Sequence, residues 1–208
     1  MEKRKDTRYM KGDKLIFMPE HEVKAEIIYS NLLAHKEGRV SVSIGGVSGT
    51  GKSEIAFLLR ERLYKEGIAC QIISLDDFYS TSWCERADYR EEDPDMIGLD
   101  EMQWAKLELI LALWKLKHRV TSPQINRYTD SVEELSWDGG AVEVLILEGL
   151  YANYLQTNRK YHLKGTASDT HDFRVARGKE PQDAHRAMVL DREMNAVYSL
   201  IEKADFEL

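Results

Sequence analysis

The stretch Gly46-Val47-Ser48-Gly49-Thr50-Gly51-Lys52-Ser53 constrains this chain more than any other. It fits G-x-x-x-x-G-K-[ST], in which glycines let successive backbone N–H groups turn inward on a phosphate. Such a loop requires a strand before it and a helix after it. Both are legible here. Arg39-Val40-Ser41-Val42-Ser43-Ile44 alternates as a buried strand feeding the turn. From Lys52 to Glu66, Ile55, Leu58, Leu59 and Leu63 recur at helical core spacing until Gly67. The start of that helix adds a positive end to the phosphate cradle. Lys52 supplies a cation for β and γ oxygens, and the Ser53 hydroxyl suits a Mg²⁺ shell. A chance glycine-rich turn would lack this flanking pattern. Gly46 through Ser53 are therefore the candidate nucleotide-binding residues.

A chain of 208 residues with 43% apolar and 31% charged positions has room for one sizeable soluble core. Its formal charge of −7 argues against a general nucleic-acid coat, though not against a small anionic ligand. Cys70 and Cys84 lack metal-finger spacing and read as free thiols of a reducing compartment. The richest apolar run, Leu107 to Leu116, is broken by Glu108 and Lys115, so no membrane span is expected. The opening MEKRKDTRYMKGDK has no apolar stretch of the kind a secretory signal needs, and its basic residues read as a solvated terminus. A cytoplasmic protein is expected, with a small-molecule partner, without nucleic-acid or membrane partners, and with homo-oligomerisation left open.

Residues 1–38 read as an extension, with a short strand at Leu15-Ile16-Phe17 and a helix from about Pro19 to Lys36. Val23, Ile27 and Ile28 are expected on one side of that helix. Residues 39–208 read as one α/β domain. A second strand is expected over Ile68 to Leu75, giving a right-handed strand–helix–strand crossover and a mainly parallel sheet covered on both faces. Ser80 to Gly98 is polar and acidic, a loop with local helix. Asp100 followed by Gln103 resembles a helix-starting box for a helix lasting to about His118. Pro123 to Gly140 looks irregular, ending in the turn Asp138-Gly139-Gly140. Val142 to Leu147 is the near-continuous apolar run of a central parallel strand. A weaker strand over Lys160 to Thr166 and a long helix over Gln182 to Lys203 complete the chain.

Two strand ends carry acids. Ile72-Ile73-Ser74-Leu75-Asp76-Asp77-Phe78-Tyr79 closes the second strand, where the crevice of such sheets binds ligands. A carboxylate there suits either the proton of an attacking hydroxyl or Mg²⁺, as phosphoryl transfer needs; a plain strand-ending turn would carry the same residues. Val144-Leu145-Ile146-Leu147-Glu148-Gly149 ends a buried strand in another acid, a candidate metal ligand with Ser53. No Asn-Lys-x-Asp segment for reading guanine exists, which disfavours a GTP switch.

Together GVSGTGKS, ISLDDFY and ILEG resemble, in order and spacing from about Val40 to Arg177, the uridine kinase and phosphoribulokinase group. The resemblance implies a three-layer α/β/α phosphate-loop fold and transfer of the γ-phosphoryl of ATP, with Mg²⁺, to a hydroxyl of a nucleoside, sugar phosphate or vitamin precursor. It assigns Asp76, in the S-x-D-x-F-Y pattern, as catalytic base beside Lys52, with a swap to Asp77 still open. Asp93-Pro94-Asp95 is similar to the group's His-Pro-Asp stretch, with Asp93 replacing the His. Asp169-Thr170-His171-Asp172-Phe173-Arg174-Val175-Ala176-Arg177 resembles its Asp-x-Arg-x-x-Arg lid, and a helix there would let Arg174 and Arg177 face one ligand.

The group's Pro-x-Tyr-Asp segment and following His are replaced by Pro123-Gln124-Ile125-Asn126-Arg127-Tyr128-Thr129-Asp130, which leaves the acceptor open. Arg127, Tyr79 and Tyr128 are acceptor-binding candidates, each with an ordinary surface or packing role as its competitor. His118, His162 and His185 share no metal spacing and read as surface or packing residues, and Trp104 and Trp114 as core or interface. Adenylylsulfate kinase is the rival enzyme, disfavoured by the missing Asp-Gly-Asp. A regulatory ATP-binding protein and a nucleic-acid-stimulated ATPase are rivals of other classes.

Overall fold

Alternation along each strand decides which helices lie on which side of the sheet. The structure, a computed structural model, describes residues 15–35, 38–82, 84–126, 128, 129, 131–178 and 183–208. Strands β1 (Val40–Gly46), β2 (Cys70–Ser74), β5 (Val144–Glu148), β6 (Arg159–Leu163) and β7 (Phe206–Glu207) form one parallel sheet in the order β2-β5-β1-β6-β7. On β5, Val144 and Ile146 join one buried cluster, while Leu145 and Leu147 join the other. The first cluster belongs to helices α1 (Pro19–His35) and α2 (Lys52–Lys65), through Ile28, Leu32, Ile55, Leu59 and Leu63. The second belongs to α4 (Trp104–Lys115) and α6 (Ala184–Tyr198), through Leu107, Ile110, Leu111, Trp114 and Val197. The three-layer α/β/α fold follows from that period of two.

β1 obeys the same rule with a different partner. Val40, Val42 and Ile44 face α1 and α2. Ser41 and Ser43 face the other way and bond to Asn158 and Asn153 at 2.8 Å each, so the segment with the short 3-10 turn Ala152–Tyr154, not a long helix, covers that face of β1. The alternating serines are thus buried and paired, and burying hydroxyls is tolerable only on those terms.

Several expectations change on contact with tertiary structure. Pro123 to Gly140 is not irregular: β3 (Arg119–Asn126) and β4 (Ser131–Asp138) pair antiparallel from Arg119↔Asp138 to Asn126↔Ser131. This two-stranded ribbon is largely exposed on β4, so it lacks the apolar alternation that reveals a half-buried strand. Leu15 to Met18 joins no sheet, contrary to the expected short strand; the Ile16 N–H instead bonds Glu54 Oε1 at 3.3 Å. α1 is rotated relative to expectation, since Val23 and Ile27 are exposed while His21, Ala25, Ile28, Tyr29 and Leu32 form its buried stripe. Asp100 does not cap α4. Gln103 occupies the cap position and its side chain bonds Tyr79 O at 2.6 Å instead. α3 (Arg86–Glu92) and α5 (His171–Arg177) supply the local helices expected in the acidic segment and the lid. No helix among the described residues is long and apolar enough to cross a membrane.

Candidate active site

The turn after β1 closes tightly because glycine occupies its left-handed positions. Gly51, at φ +79°, caps α2, and a Cβ there would overlap the imidazole of His21 from α1. At Gly49 a Cβ would meet Arg174 Cγ at 2.8 Å and Thr170 Cβ at 2.9 Å, so the segment leading into and through α5 rests directly on the loop. Val47 and Thr50 are buried behind the turn, and the Thr50 hydroxyl bonds Val47 O at 3.0 Å. Lys52 Nζ donates to the same Val47 O at 2.7 Å. Burial lowers the Lys52 pKa, opposed by the nearby charges of Glu148 and Asp76. Residues Ser48, Gly49, Gly51, Lys52 and Ser53 line a cleft of about 530 Å³.

Glu148 ends β5 between two neighbours, in register with Ile44 of β1 and Ser74 of β2. That places its buried carboxylate beside α2, where Ser53 Oγ donates to Glu148 Oε2 at 3.2 Å. Two hard oxygen donors at the phosphate end of the cleft fit Mg²⁺, which keeps waters and substrate phosphates in the rest of its shell. Among the described residues no group of three or more His, Cys, Asp or Glu forms a site of its own for a metal.

The two adjacent acids after β2 diverge. Asp76 lines the cleft. Asp77 accepts from the Ile125 N–H at 3.1 Å and so ties the β3–β4 ribbon to the strand end. The two arginines expected to form a lid diverge as well. Arg177 lines the cleft, whereas Arg174 is buried and donates to Ala167 O at 3.0 Å and Thr170 Oγ1 at 2.5 Å. They do not converge on one surface in this structure.

Of the acceptor candidates, Tyr79 lines the cleft with its ring under Arg86, 3.6 Å from the guanidinium carbon. Its hydroxyl pKa is raised, chiefly by burial. Tyr128 is 83% exposed beyond the end of β3 and is not among the cleft's lining residues, and Arg127 lies outside the described residues. Asp93 is an exposed cap whose Oδ1 accepts from the Asp95 N–H at 3.2 Å. His185, expected as surface or packing, lines the cleft, and His162 is buried on β6. Trp114 packs in the core and donates to Val142 O at 3.0 Å.

Sequence reasoning missed Arg86, Arg90, Arg186 and Glu193, all cleft residues. A signal existed for two of them. Val189, Glu193 and Val197 share the buried stripe of α6, and Arg186 extends it by one turn, so charged residues interrupt an otherwise core-facing row.

Comparison with known proteins agrees with this fold. A search of curated protein sequences finds no match. Solved structures share the fold at low identity. A Silicibacter sp. protein provisionally described as a fructose transport system kinase matches with TM-score 0.66 and 19% identity, covering 90% of this chain and 98% of its own. A Bacillus stearothermophilus protein described as a possible uridine kinase matches with TM-score 0.56 and 17% identity, over 91% of this chain and 99% of its own. Phosphoribulokinase from Rhodobacter spheroides matches with TM-score 0.60 and 15% identity, over 81% and 69%. The model of the phosphoribulokinase/uridine kinase family matches residues 41–167, which span the loop, both acidic strand ends and the ribbon. With more than half its length matched, the chain belongs to the phosphoribulokinase/uridine kinase family of phosphate-loop kinases.

Proposed function

We propose that this kinase transfers the γ-phosphoryl group of ATP to a hydroxyl of a small metabolite. The observation that carries the reading is the convergence of Lys52, Ser53, Asp76, Glu148 and Arg177 on one cleft. The inward N–H groups of residues 46–53 and the N-terminal end of α2 hold the phosphate tail. Lys52 exchanges its bond to Val47 O for β and γ oxygens. Ser53 and Glu148 would hold Mg²⁺, directly or through water, and the metal would supply charge neutralisation for the triphosphate. Asp76 accepts the acceptor's hydroxyl proton as the new O–P bond forms and the bond from the γ-phosphorus to the bridging oxygen breaks, so ADP leaves with the electron pair. Arg177 faces the phosphoryl group in transit, and a planar guanidinium suits its spread charge. Arg174 braces the lid segment against Gly49.

The cleft continues past Asp76 to Tyr79, Arg86 and Arg186, which gives a place beside the phosphate loop for a hydroxyl-bearing metabolite. ADP release in Mg²⁺ over a panel of nucleosides, sugars, sugar phosphates and hydroxy acids tests the reading. Acceptor-dependent ADP formation is the expected result. Magnesium-dependent ATP binding with no turnover on any acceptor would instead favour a regulatory nucleotide-binding protein.

A further inference from the structure

Beyond Asp76 the cleft wall changes character. Arg86 and Arg90 lie four apart on α3 and share a face; Arg186 and Glu193 lie seven apart on α6 and share another. All four line the cleft. Arg86 and Glu193 are buried, and the side chains of Arg90 and Arg186 are each only 11% exposed. The two faces are tied together through one carboxylate. Arg90 Nη2 meets Glu193 Oε1 at 3.1 Å, and Arg186 Nη1 meets Glu193 Oε2 at 3.2 Å. Behind them Arg90 forks Glu101 at 2.6 and 3.0 Å. Arg86 stacks on Tyr79, and the charge of Asp76 acts on both, so the cluster adjoins the proposed base.

The donor inventory of this wall is one-sided. Beyond Asp76 the described residues that line it, besides these four, are Tyr79, Cys84, Ala87, Leu150, His185 and Val189, with no Asn, Gln, Ser or Thr among those described. A neutral polyol or nucleobase both donates and accepts, and amide or hydroxyl side chains read it. Guanidinium groups only donate, in a planar fork that matches carboxylate or phosphate oxygens.

Resting on the phosphotransfer reading above, we propose that the acceptor carries an anionic group, carboxylate or phosphate, read by Arg86, Arg90 and Arg186, with Glu193 fixing the directions of the latter two and Tyr79 that of Arg86. The acceptor hydroxyl then points at Asp76 because its far end is anchored.

The full chain, saturated with a non-hydrolysable ATP analogue and Mg²⁺, is melted with orthophosphate or acetate replacing chloride at constant ionic strength. One anion is expected to raise the midpoint, and Arg86→Gln or Arg186→Gln to abolish that rise while keeping the response to the analogue. A rise with orthophosphate alone assigns a phosphorylated acceptor, and a rise with acetate a carboxylate. No rise with either, the analogue response intact, overturns the anionic acceptor but leaves phosphotransfer standing. Failure of the analogue itself to stabilise the chain overturns phosphotransfer, and this proposal with it. In turnover, glycerate against glycerol and ribose 5-phosphate against ribose should differ by at least about tenfold in kcat/KM in favour of the anion. Equal or better use of the neutral member also overturns it.

Discussion

Ser53 and Glu148, one from the helix after the phosphate loop and one from the end of β5, meet at 3.2 Å with the hydroxyl donating to the carboxylate. Neither residue reaches the other by local sequence; the parallel pairing of β1 with β5 brings them together. Glu148→Gln keeps the size and the acceptor oxygen but removes the charge. It is expected to lower kcat by about 10²–10³, the cost of losing one electrostatic contact in such a site. The magnesium concentration for half-maximal rate should rise in parallel. A variant with an unchanged magnesium requirement would remove Glu148 from the metal's surroundings.

Adjacent acids should behave differently. Asp76→Asn is expected to lower kcat by about 10²–10⁴, the usual contribution of a positioned base. Asp77→Asn retains an oxygen for the Ile125 N–H and should lower kcat less than about tenfold, because it contacts the ribbon and not the reacting atoms. Steady-state kinetics on the two variants separates them; a reversed order transfers the base role to Asp77.

His21 couples the first helix to the site. It is 2% exposed, its Nδ1 accepts from the Met18 N–H at 3.3 Å, and its ring meets Phe173 edge-on at 5.4 Å while lying against Gly51. His21→Ala is expected to weaken ATP binding several-fold and to destabilise the chain by about 1–3 kcal/mol. Phe173→Ala touches the same contact, so the double variant should fall short of the sum by about 0.5 kcal/mol or more. Calorimetric ATP titration and thermal melts of the four proteins check this. Strict additivity would show that the histidine does not link loop and lid.

Acid should destabilise the fold through two histidines. Burial lowers the pKa of both His21 and His162 below the ordinary 6.5, with Glu54 and Glu207 respectively opposing. As pH falls through 6.5 the unfolded chain binds protons that these imidazoles resist in the fold. Their contribution is complete above that value and drains away below it. Melting midpoints from about pH 8 to pH 5.5 should therefore decline on the acid side, and His162→Gln should flatten the decline.

The phosphate loop, the strands on either side of it and the layered fold were legible because each depends on short-range facts. Glycine at the left-handed turns, a period of two in β1 and the apolar spacing of α2 all lie within a few residues of one another. Asp76 and Glu148 were legible for the same reason, as acids at the ends of apolar strands. The β3–β4 ribbon was not, because its order comes from cross-strand pairing and leaves little apolar pattern on β4. Nor was the division between Arg174, which braces the lid, and Arg177, which faces the cleft, since three residues on a short helix differ only in what packs against them. Arg86, Arg90, Arg186 and Glu193 became a site only when α3 and α6 met across the cleft. Local sequence thus determined the glycine-rich loop between β1 and α2, whose turns are set by nearby dihedrals. Tertiary packing alone decided that Arg90 of α3 meets Glu193 of α6 in the cleft wall, because the period within one helix does not say which other helix packs against it.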